Sequence, residues 1–264
     1  MTDFANKTVW ITGASSGIGE ALAYKFSKLG AKLLISSRDE TRLNEVRAAC
    51  DNPLLHHVVP MDLERYRDLD AVAEETWKEY GPIDVLINNA GVSQRYRVDE
   101  GEIELDEKIM NINFLGTIAL TRPVLRKMLE RQSGHIAVVS SVLGLFGIQS
   151  RSAYCASKHA LRGYFESLRN ELSGSKIDLT MIYPGYVKTN VSRNAITVGG
   201  RNYGVTDKQH STAMSSEDSA EKIVAAIKRK KPILIFGGTR EMASVYLSKN
   251  APSVFRFLSS RIKV

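Results

Sequence analysis

Short apolar segments alternate with amphipathic ones along most of the chain, and this alternation limits the fold more than any other feature. Strands that are apolar on both faces are typical of parallel sheets covered by helices on each side. Crossovers between parallel strands are right-handed, which favours a doubly wound arrangement. The sequence therefore predicts an α/β protein with a Rossmann-type doubly wound parallel sheet. The predicted strands cover residues 8–11, 32–36, 57–61, 83–87, 136–139, 178–183 and 233–236, and helices at 17–29 and 40–49 lie between the first three.

Length and composition indicate one domain spanning residues 1–264. The sequence has 264 residues, of which 43% are hydrophobic and 25% charged, and these values are ordinary for a soluble globular protein. Its net charge of +7 is spread along the chain. The one dense basic run, residues 228–231, ends a predicted helix, where cations are favoured by the helix dipole. We therefore expect no nucleic-acid partner.

Cysteine, histidine and leader patterns favour a cytoplasmic protein without a metal site. Cys50 and Cys155 lie far apart, and the five histidines show no metal-ligand spacing. His56 and His57 fall on a predicted strand and are expected to be structural. The N-terminus has no apolar leader, and no apolar stretch is long enough to cross a bilayer.

Two segments fall outside the alternation. Residues 184–216 are rich in Gly, Asn, Ser and Thr, and they follow the carboxyl end of a predicted strand, where open α/β sheets bind ligands. We expect a substrate lid there rather than disorder, although loops of this length are found in both roles. Residues 239–264 form a C-terminal extension.

A glycine-rich turn joins the first predicted strand to the first predicted helix. Its spacing is Gly-x3-Gly-x-Gly, with Gly13, Gly17 and Gly19 as the glycines. Glycine allows a tight turn close to a ligand, and free N–H groups at a helix start attract phosphate. The turn predicts a dinucleotide site that also includes Ser15, Ser16 and Ile18.

The end of the second predicted strand favours NADP(H) over NAD(H). NAD sites usually place Asp or Glu there, whereas NADP sites use Arg to bind the 2′-phosphate. In this chain Ser37 occupies the expected carboxylate position and Arg38 follows it. The competing interpretation makes Arg38 a surface partner of Asp39 or Glu40, with Asp39 capping the next helix.

Tyr154 and Lys158 are four residues apart in a predicted helix, so both side chains can reach one site. A nearby cation favours the phenolate and makes tyrosine a usable acid or base. The same spacing also occurs on helix faces without function. Further motifs end neighbouring predicted strands at residues 88–91, 140–141 and 184–189.

Taken together and in this order, these motifs resemble those of the short-chain dehydrogenase/reductase family across residues 6–240. The resemblance implies a catalytic tetrad of Asn113, Ser141, Tyr154 and Lys158, with Ser141 favoured over Ser140 and Asn113 over Asn111. It also implies further cofactor contacts at Asp62, Leu63, Asn89, Ala90, Gly91, Pro184, Gly185, Val187 and Thr189, in addition to Tyr154 and Lys158.

The resemblance implies the reaction as well. Tyr154 would give a proton to the carbonyl oxygen of a small-molecule substrate during hydride transfer, and Ser141 would hydrogen-bond that oxygen. Lys158 would bind the nicotinamide ribose, and Asn113 would hold a water linked to Lys158. Family members are commonly homodimers or homotetramers. A non-catalytic NADP-binding redox sensor is the alternative from another class.

Within the family, residues 151–159, 194–197 and 203–205 resemble the member 7B branch, which is membrane-anchored and associated with lipid carbonyl reduction. We expect this chain to lack that anchor. The branch favours an apolar or lipid-like ketone or aldehyde, and small polar or sugar carbonyls are the alternative.

The tail alternates Val254, Phe255, Phe257, Leu258 and Ile262 with Arg256, Arg261 and Lys263. Packing over the substrate site or against a subunit is favoured there, and peripheral membrane contact is the alternative.

Overall fold

A computed structural model describes residues 3–189, 191–204 and 213–261. Seven strands form one parallel sheet in the order β3-β2-β1-β4-β5-β6-β7. The strand order reverses direction between β1 and β4, which is the switch point where ligands bind in such sheets. The strands are β1 Thr8–Thr12, β2 Lys32–Ser36, β3 His57–Val58, β4 Val85–Asn88, β5 Gly134–Val139, β6 Ile177–Pro184 and β7 Ile233–Phe236.

Helices cover both faces of the sheet, as the doubly wound prediction requires. They are α1 Gly17–Lys28, α2 Glu40–Ala49, α3 Leu69–Tyr80, α4 Ile103–Met110, α5 Gly116–Glu130, α6 Ser152–Glu171, α7 Ser216–Lys228, α8 Thr239–Asn250 and α9 Pro252–Ser259. Helices α1, α2 and α7 pack on one face, against side chains such as Val9 and Ile35. Helices α3, α5 and α6 pack on the other, against side chains such as Trp10 and Leu34.

The alternation of side chains along each strand explains the two cores. Val9 and Ile11 face one layer and Trp10 the other, and each is fully buried. Each strand must therefore be apolar at consecutive positions, which produces the continuous apolar runs in the sequence. The α/β prediction is confirmed.

The third strand is shorter than its apolar run. Residues 57–61 were expected to form it, but regular pairing covers only His57–Val58. Val59 and Met61 still donate backbone hydrogen bonds to Ile35 and Ser37 at 3.0 Å. Pro60 lies between them on the open edge of this outermost strand, where no neighbouring strand needs its N–H and proline is tolerated.

His56 lies just before β3 rather than on it, which corrects the sequence prediction for that residue. Its Nδ1 accepts from the Leu33 N–H at 3.3 Å and its Nε2 donates to the Asp51 carbonyl at 2.8 Å. Burial lowers the pKa of His56. The structural role predicted for this histidine is confirmed.

The segment between β6 and α7 is irregular where it is described. It contains one short turn of helix at Val198–Gly200 and isolated backbone bridges. One bridge joins Ile196 to Gln94, and another joins Met214 to Val187. Ala195 and Ile196 are buried, so this part of the predicted lid packs on the body of the protein.

The C-terminal extension forms α8 and α9, which contact each other. Phe255 of α9 lies edge-on against Phe146, with ring centroids 5.2 Å apart. Val254, Phe257 and Leu258 on the same helix are exposed. Ile262 and Lys263 of the predicted tail pattern lie outside the described residues.

Candidate active site

One large cavity of about 1730 Å³ opens at the carboxyl edge of the sheet. Pockets for single drug-sized ligands usually have volumes of about 300–1,000 Å³. This cavity therefore has room for a dinucleotide and a second molecule side by side. The glycine-rich turn lines one part of it, and Ser141, Tyr154 and Lys158 line another.

The glycine-rich turn requires its glycines for backbone reasons. Gly13 has φ +66° and Gly17 has φ +59°, both in the left-handed region. A Cβ on Gly13 would lie 2.8 Å from the Cα of Ala90, and one on Gly17 would lie 2.9 Å from the Thr189 side chain. Ser16, at the start of α1, makes no side-chain cap. The first N–H groups of α1 are therefore open to an anion in the cavity.

Gly19 does not line the cavity, in contrast to the predicted contact. It is buried beneath the turn, and a Cβ there would collide with the Gly13 carbonyl oxygen and with Nδ2 of Asn89. The third glycine is needed for close packing of α1 under the turn. Its role is structural support of the phosphate site.

Asn89 holds the turn in place. Its Nδ2 donates to the carbonyl oxygens of Thr12 and Gly13 at 3.0 and 3.3 Å. The Thr12 hydroxyl in turn accepts from the N–H groups of Asn89 and Ala90 at 3.0 and 3.1 Å. Asn89 lines the cavity, but its amide group is committed to the turn.

The end of β2 presents Ser37 and Arg38 to the cavity. Arg38 is exposed, and among the described residues no ion pair or hydrogen bond engages its side chain. The competing interpretation, in which Arg38 pairs with Asp39 or Glu40, is therefore not seen there. The helix cap that it included is present, since Asp39 accepts from the Arg42 N–H at 2.9 Å at the start of α2.

Arg42 braces the turn from α2. Its Nε donates to the Ser15 carbonyl at 3.2 Å, and its guanidinium pairs with Glu20 at 2.8 Å and Glu45 at 2.6 Å. Because these contacts occupy the Arg42 guanidinium, it is not available to an anion. Arg38, which lines the cavity beside the end of β2, is the arginine placed to bind one.

Tyr154 begins the cavity-lining face of α6, where its half-buried ring lies beside Ser141. The Tyr154 hydroxyl hydrogen-bonds Ser141, whose Oγ also accepts from the Leu143 N–H at 3.1 Å. Ser140 has a different task, since its hydroxyl donates to the Lys158 carbonyl at 3.2 Å. Of the two serines that end β5, Ser141 is the one that faces Tyr154.

Lys158 is buried and lines the floor of the cavity. Its Nζ donates to the Val139 carbonyl at 3.1 Å and lies 5.7 Å from the centroid of the Tyr154 ring. A Cβ on Gly91 would lie 3.3 Å from that Nζ and 3.1 Å from Oδ1 of Asn113, so glycine leaves the most room beside the ammonium. Burial lowers the pKa of Lys158 to about 8.

The pKa of Tyr154 is raised, chiefly by burial of the phenol. The hydrogen bond from Ser141 and the charge of Arg151 oppose this shift without overcoming it. From the sequence we expected the Lys158 cation to lower this pKa. Desolvation is the largest influence on the pKa of both groups, and it keeps the proton on Tyr154.

Asn113 lies behind the cavity rather than in its wall. It is fully buried in a widened turn of helix, Asn111–Leu115, between α4 and α5. Its Oδ1 accepts from the Val92 N–H at 2.8 Å, and its Nδ2 donates to the Val92 carbonyl at 2.9 Å and to Ser157 Oγ at 3.0 Å. The side chain therefore joins the loop after β4 to α6.

The remaining predicted contacts do lie along the cavity wall. Asp62 caps the turn after it by accepting from the Glu64 N–H at 3.0 Å. The predicted residues that line the cavity are Gly13, Ser15, Ser16, Gly17, Ile18, Ser37, Arg38, Asp62, Leu63, Asn89, Ala90, Gly91, Ser141, Tyr154, Lys158, Pro184, Gly185, Val187 and Thr189.

Several cavity residues escaped sequence reasoning. Arg151 lines the cavity just before α6 and is only 3% exposed, which is rare for arginine. Its position three residues before Tyr154 was the one available signal. Phe146 and Ile148 come from an irregular segment without periodicity, so no sequence pattern predicts that they line the cavity.

The cavity wall fits a nicotinamide dinucleotide. It offers open N–H groups at the start of α1, glycines where a Cβ would intrude, and Arg38 at the far end. Among the described residues, no group of three His, Cys, Asp or Glu side chains is arranged to hold a metal ion. None of the described helices has the length and apolarity needed to cross a membrane.

Comparisons with known proteins agree with this geometry. Residues 7–197 match the family described as short chain dehydrogenase. Dehydrogenase/reductase SDR family member 7B from Xenopus laevis is 38% identical over 97% of this chain and 81% of that protein. The Mus musculus protein of the same name is 39% identical over 98% of this chain and 82% of its own length.

A solved structure shares the fold over nearly the full length. The short-chain dehydrogenase/reductase from Burkholderia phymatum, crystallised in complex with NAD, superposes with a TM-score of 0.83 at 25% identity and covers 96% of each chain. The cavity, the motif order and these similarities agree: the chain belongs to the short-chain dehydrogenase/reductase family and is an oxidoreductase that binds a nicotinamide cofactor.

Proposed function

We propose that this protein is an NADP(H)-dependent reductase that interconverts a ketone or aldehyde and its alcohol, with an apolar or lipid-like carbonyl as substrate. One observation carries the proposal. A single cavity joins the glycine-rich turn and Arg38 to the Ser141, Tyr154 and Lys158 cluster. A cofactor held at the turn and a carbonyl held at Tyr154 would therefore share one cavity.

The roles of the residues follow from their contacts. A bound nicotinamide cofactor supplies hydride chemistry at the carbonyl carbon. Tyr154 donates its proton to the carbonyl oxygen, and Ser141 hydrogen-bonds the same oxygen and stabilises the charge that develops there. Lys158 would hold the ribose beside Gly91, which leaves room for it. Asn113 fixes the loop that carries Gly91.

Burial raises the pKa of Tyr154, so the phenol carries the proton that a general acid must donate at neutral pH.

Arg38 supports NADP(H) over NAD(H). No carboxylate lies at Ser37 to accept from a ribose hydroxyl, and the guanidinium that follows is suited to a phosphate. The other nearby arginine, Arg42, is occupied by Glu20, Glu45 and Ser15.

Apolar lining beyond Tyr154 supports an apolar substrate. Val142, Leu143, Phe146 and Ile148 follow β5 along the cavity wall, and Ile196 of the lid joins them. Arg151 adds one fixed positive charge near the reacting end.

The proposal is tested by NADPH consumption with ketones and aldehydes of increasing chain length. We expect kcat/KM to rise with apolar chain length and to be higher with NADPH than with NADH. Preference for small polar carbonyls or sugars would contradict the substrate assignment. Absence of turnover with every carbonyl, despite tight NADPH binding, would favour the redox-sensor alternative.

A further inference from the structure

Gln94 is a fully buried polar residue that the proposed chemistry does not use. It lies in the loop after β4 and has a relative exposure of 0%. Burying an amide is costly unless its polar atoms are hydrogen-bonded, so the partners of Gln94 show what it holds in place. Its contacts connect two parts of the site.

The first connection is to the start of α6. Gln94 Oε1 accepts from the Tyr154 N–H at 3.1 Å, and Nε2 donates to Ser152 Oγ at 3.0 Å and to the Tyr96 carbonyl at 3.4 Å. The Tyr154 N–H belongs to the first turn of α6, where N–H groups have no partner within the helix. Arg151 at the helix start makes no side-chain cap. The Gln94 amide thus supplies the cap at Tyr154 itself.

The second connection is to the predicted lid. The Ile196 N–H donates to the Ser93 carbonyl at 2.9 Å, and the Arg95 N–H donates to the Ile196 carbonyl at 2.8 Å. The two bonds lie on either side of Gln94 in the sequence. Together they form an isolated parallel β-bridge between Gln94 and Ile196. The Ile196 side chain packs in a small core with Tyr96 and with Ala153 of α6.

We propose that Gln94 is a positioning residue that couples docking of the lid at Ile196 to the placement of Tyr154. When Ile196 is seated, residues 93–95 are fixed and the Gln94 amide holds the Tyr154 backbone. When Ile196 leaves, the segment loses both backbone bonds and the cap is free to move. The inference rests on the proposed role of Tyr154 as the proton donor.

Hydrogen exchange tests the coupling without any need for turnover. Ile196→Ala weakens lid docking and should speed amide exchange not only in residues 193–204 but also in the first turn of α6, residues 152–157. Val198→Ala, at an exposed lid position, is the matched control and should leave α6 unchanged. Unchanged exchange in residues 152–157 of Ile196→Ala would overturn the proposal.

Kinetics test the positioning role. Gln94→Met keeps the length and removes the amide, and we expect kcat/KM to fall about 10- to 100-fold, because small misplacements of reacting groups cost about that much. The Kd for NADPH should change less than about twofold. Thr180→Val, which removes a buried hydroxyl bonded to His135 and the Lys231 carbonyl, serves as the control for general destabilisation.

A conservative variant separates positioning from loss of stability. Gln94→Glu keeps an acceptor for the Tyr154 N–H, so it should retain more kcat/KM than Gln94→Met at the same thermal stability. Wild-type kcat/KM in Gln94→Met, or equal losses in Gln94→Met and Thr180→Val, would overturn the role. If the wild-type protein itself reduces no carbonyl, the proposed function fails, and hydrogen exchange alone decides the coupling.

Discussion

At the scale of single residues, burial sets the chemistry of the site. Tyr154 and Lys158 share α6 and one cavity, and desolvation pushes both toward their neutral forms. Tyr154 therefore keeps its proton, whereas Lys158 keeps its charge only below about pH 8. Desolvation of the buried Lys158 ammonium lowers the stability of the folded protein. Hydrogen bonds to the ribose hydroxyls and the charge of the phosphates of a bound cofactor would offset this loss.

Lys158→Met should stabilise the unliganded protein at pH 7 and weaken NADPH. The folded pKa of about 8 lies below the usual 10.5, so the unfolded chain binds the proton more tightly. Burial of the Lys158 ammonium therefore lowers the free energy of unfolding by its full amount below pH 8. This loss disappears as the pH rises from about 8 to 10.5. Thermal unfolding should show the gain shrinking between pH 7 and pH 9.5, with Lys222→Met, an exposed lysine, as the control.

The binding part of this prediction has its own measurement. Loss of a charge-assisted contact should raise the Kd for NADPH about 10- to 150-fold. A Lys158→Met variant that binds NADPH normally, or that is less stable at pH 7 than at pH 9.5 relative to wild type, would contradict this account of the buried ammonium.

Arg38→Ala should weaken the binding of NADPH by about 10- to 150-fold, because one charge-assisted contact to the 2′-phosphate is lost. The binding of NADH should be nearly unchanged. Ser37→Asp should go further, since its carboxylate repels phosphate and accepts from a ribose hydroxyl. The measurement is kcat/KM with each cofactor. A wild type that prefers NADH, or equal losses for both cofactors in Arg38→Ala, would show that the end of β2 has been misassigned.

At the scale of elements, the glycine-rich turn shows most directly how backbone geometry creates the site. Gly13 combines a left-handed φ of +66° with close approach to Ala90. Gly13→Ala should cost about 1–3 kcal/mol of stability and weaken NADPH at least tenfold. Gly163→Ala on α6, where a Cβ meets nothing within 4 Å, should instead stabilise by about 0.5–1 kcal/mol. Equal effects of the two substitutions would contradict the strain argument.

Local periodicity was enough to predict the sheet and its helices, because strands such as β2 and β5 are buried on both faces. The glycine-rich turn and the Tyr154–Lys158 pair could also be predicted, because each consists of residues that are close together in the sequence. Gln94, Arg151 and Phe146 could not be found this way. Their roles depend on contacts between distant segments, such as Gln94 with Tyr154, which no repeat along the chain encodes.

Sequence patterns also overstate some roles. Gly19 matched the motif but supports the turn from below. The side chain of Asn113 joins Val92 to Ser157 behind the cavity, and its predicted role of holding a water near Lys158 stays a prediction. A motif records which residue types are needed, and only packing shows which of them face the ligand.

At the scale of the whole molecule, the C-terminal extension closes one end of the cavity. Ser259 lines the cavity, Phe255 packs on Phe146, and Gln149 donates to the Ser260 carbonyl at 3.2 Å. These contacts support the packing interpretation of the tail. Oligomeric state, cytoplasmic location and any membrane contact stay predictions.

Deletion of residues 252–264 should lower the unfolding temperature and raise the substrate KM without changing the Kd for NADPH. Phe255→Ala should reproduce part of both effects, whereas Phe257→Ala, at a site that is 56% exposed, should not. Binding to anionic liposomes should be absent in full-length and truncated protein alike. Co-sedimentation of the full chain that is lost on deletion would favour the membrane interpretation instead.

The central claim is that Tyr154 donates the proton in a carbonyl reduction, and its most direct test is single-turnover oxidation of bound NADPH by Tyr154→Phe. The variant should fold normally and bind NADPH with wild-type affinity, but the rate should fall by about 10²- to 10⁴-fold. Tyr164→Phe, a tyrosine on the same helix that packs against Phe114 outside the cavity, should react at the wild-type rate. Near-normal turnover in Tyr154→Phe would remove Tyr154 from the reaction and contradict the account.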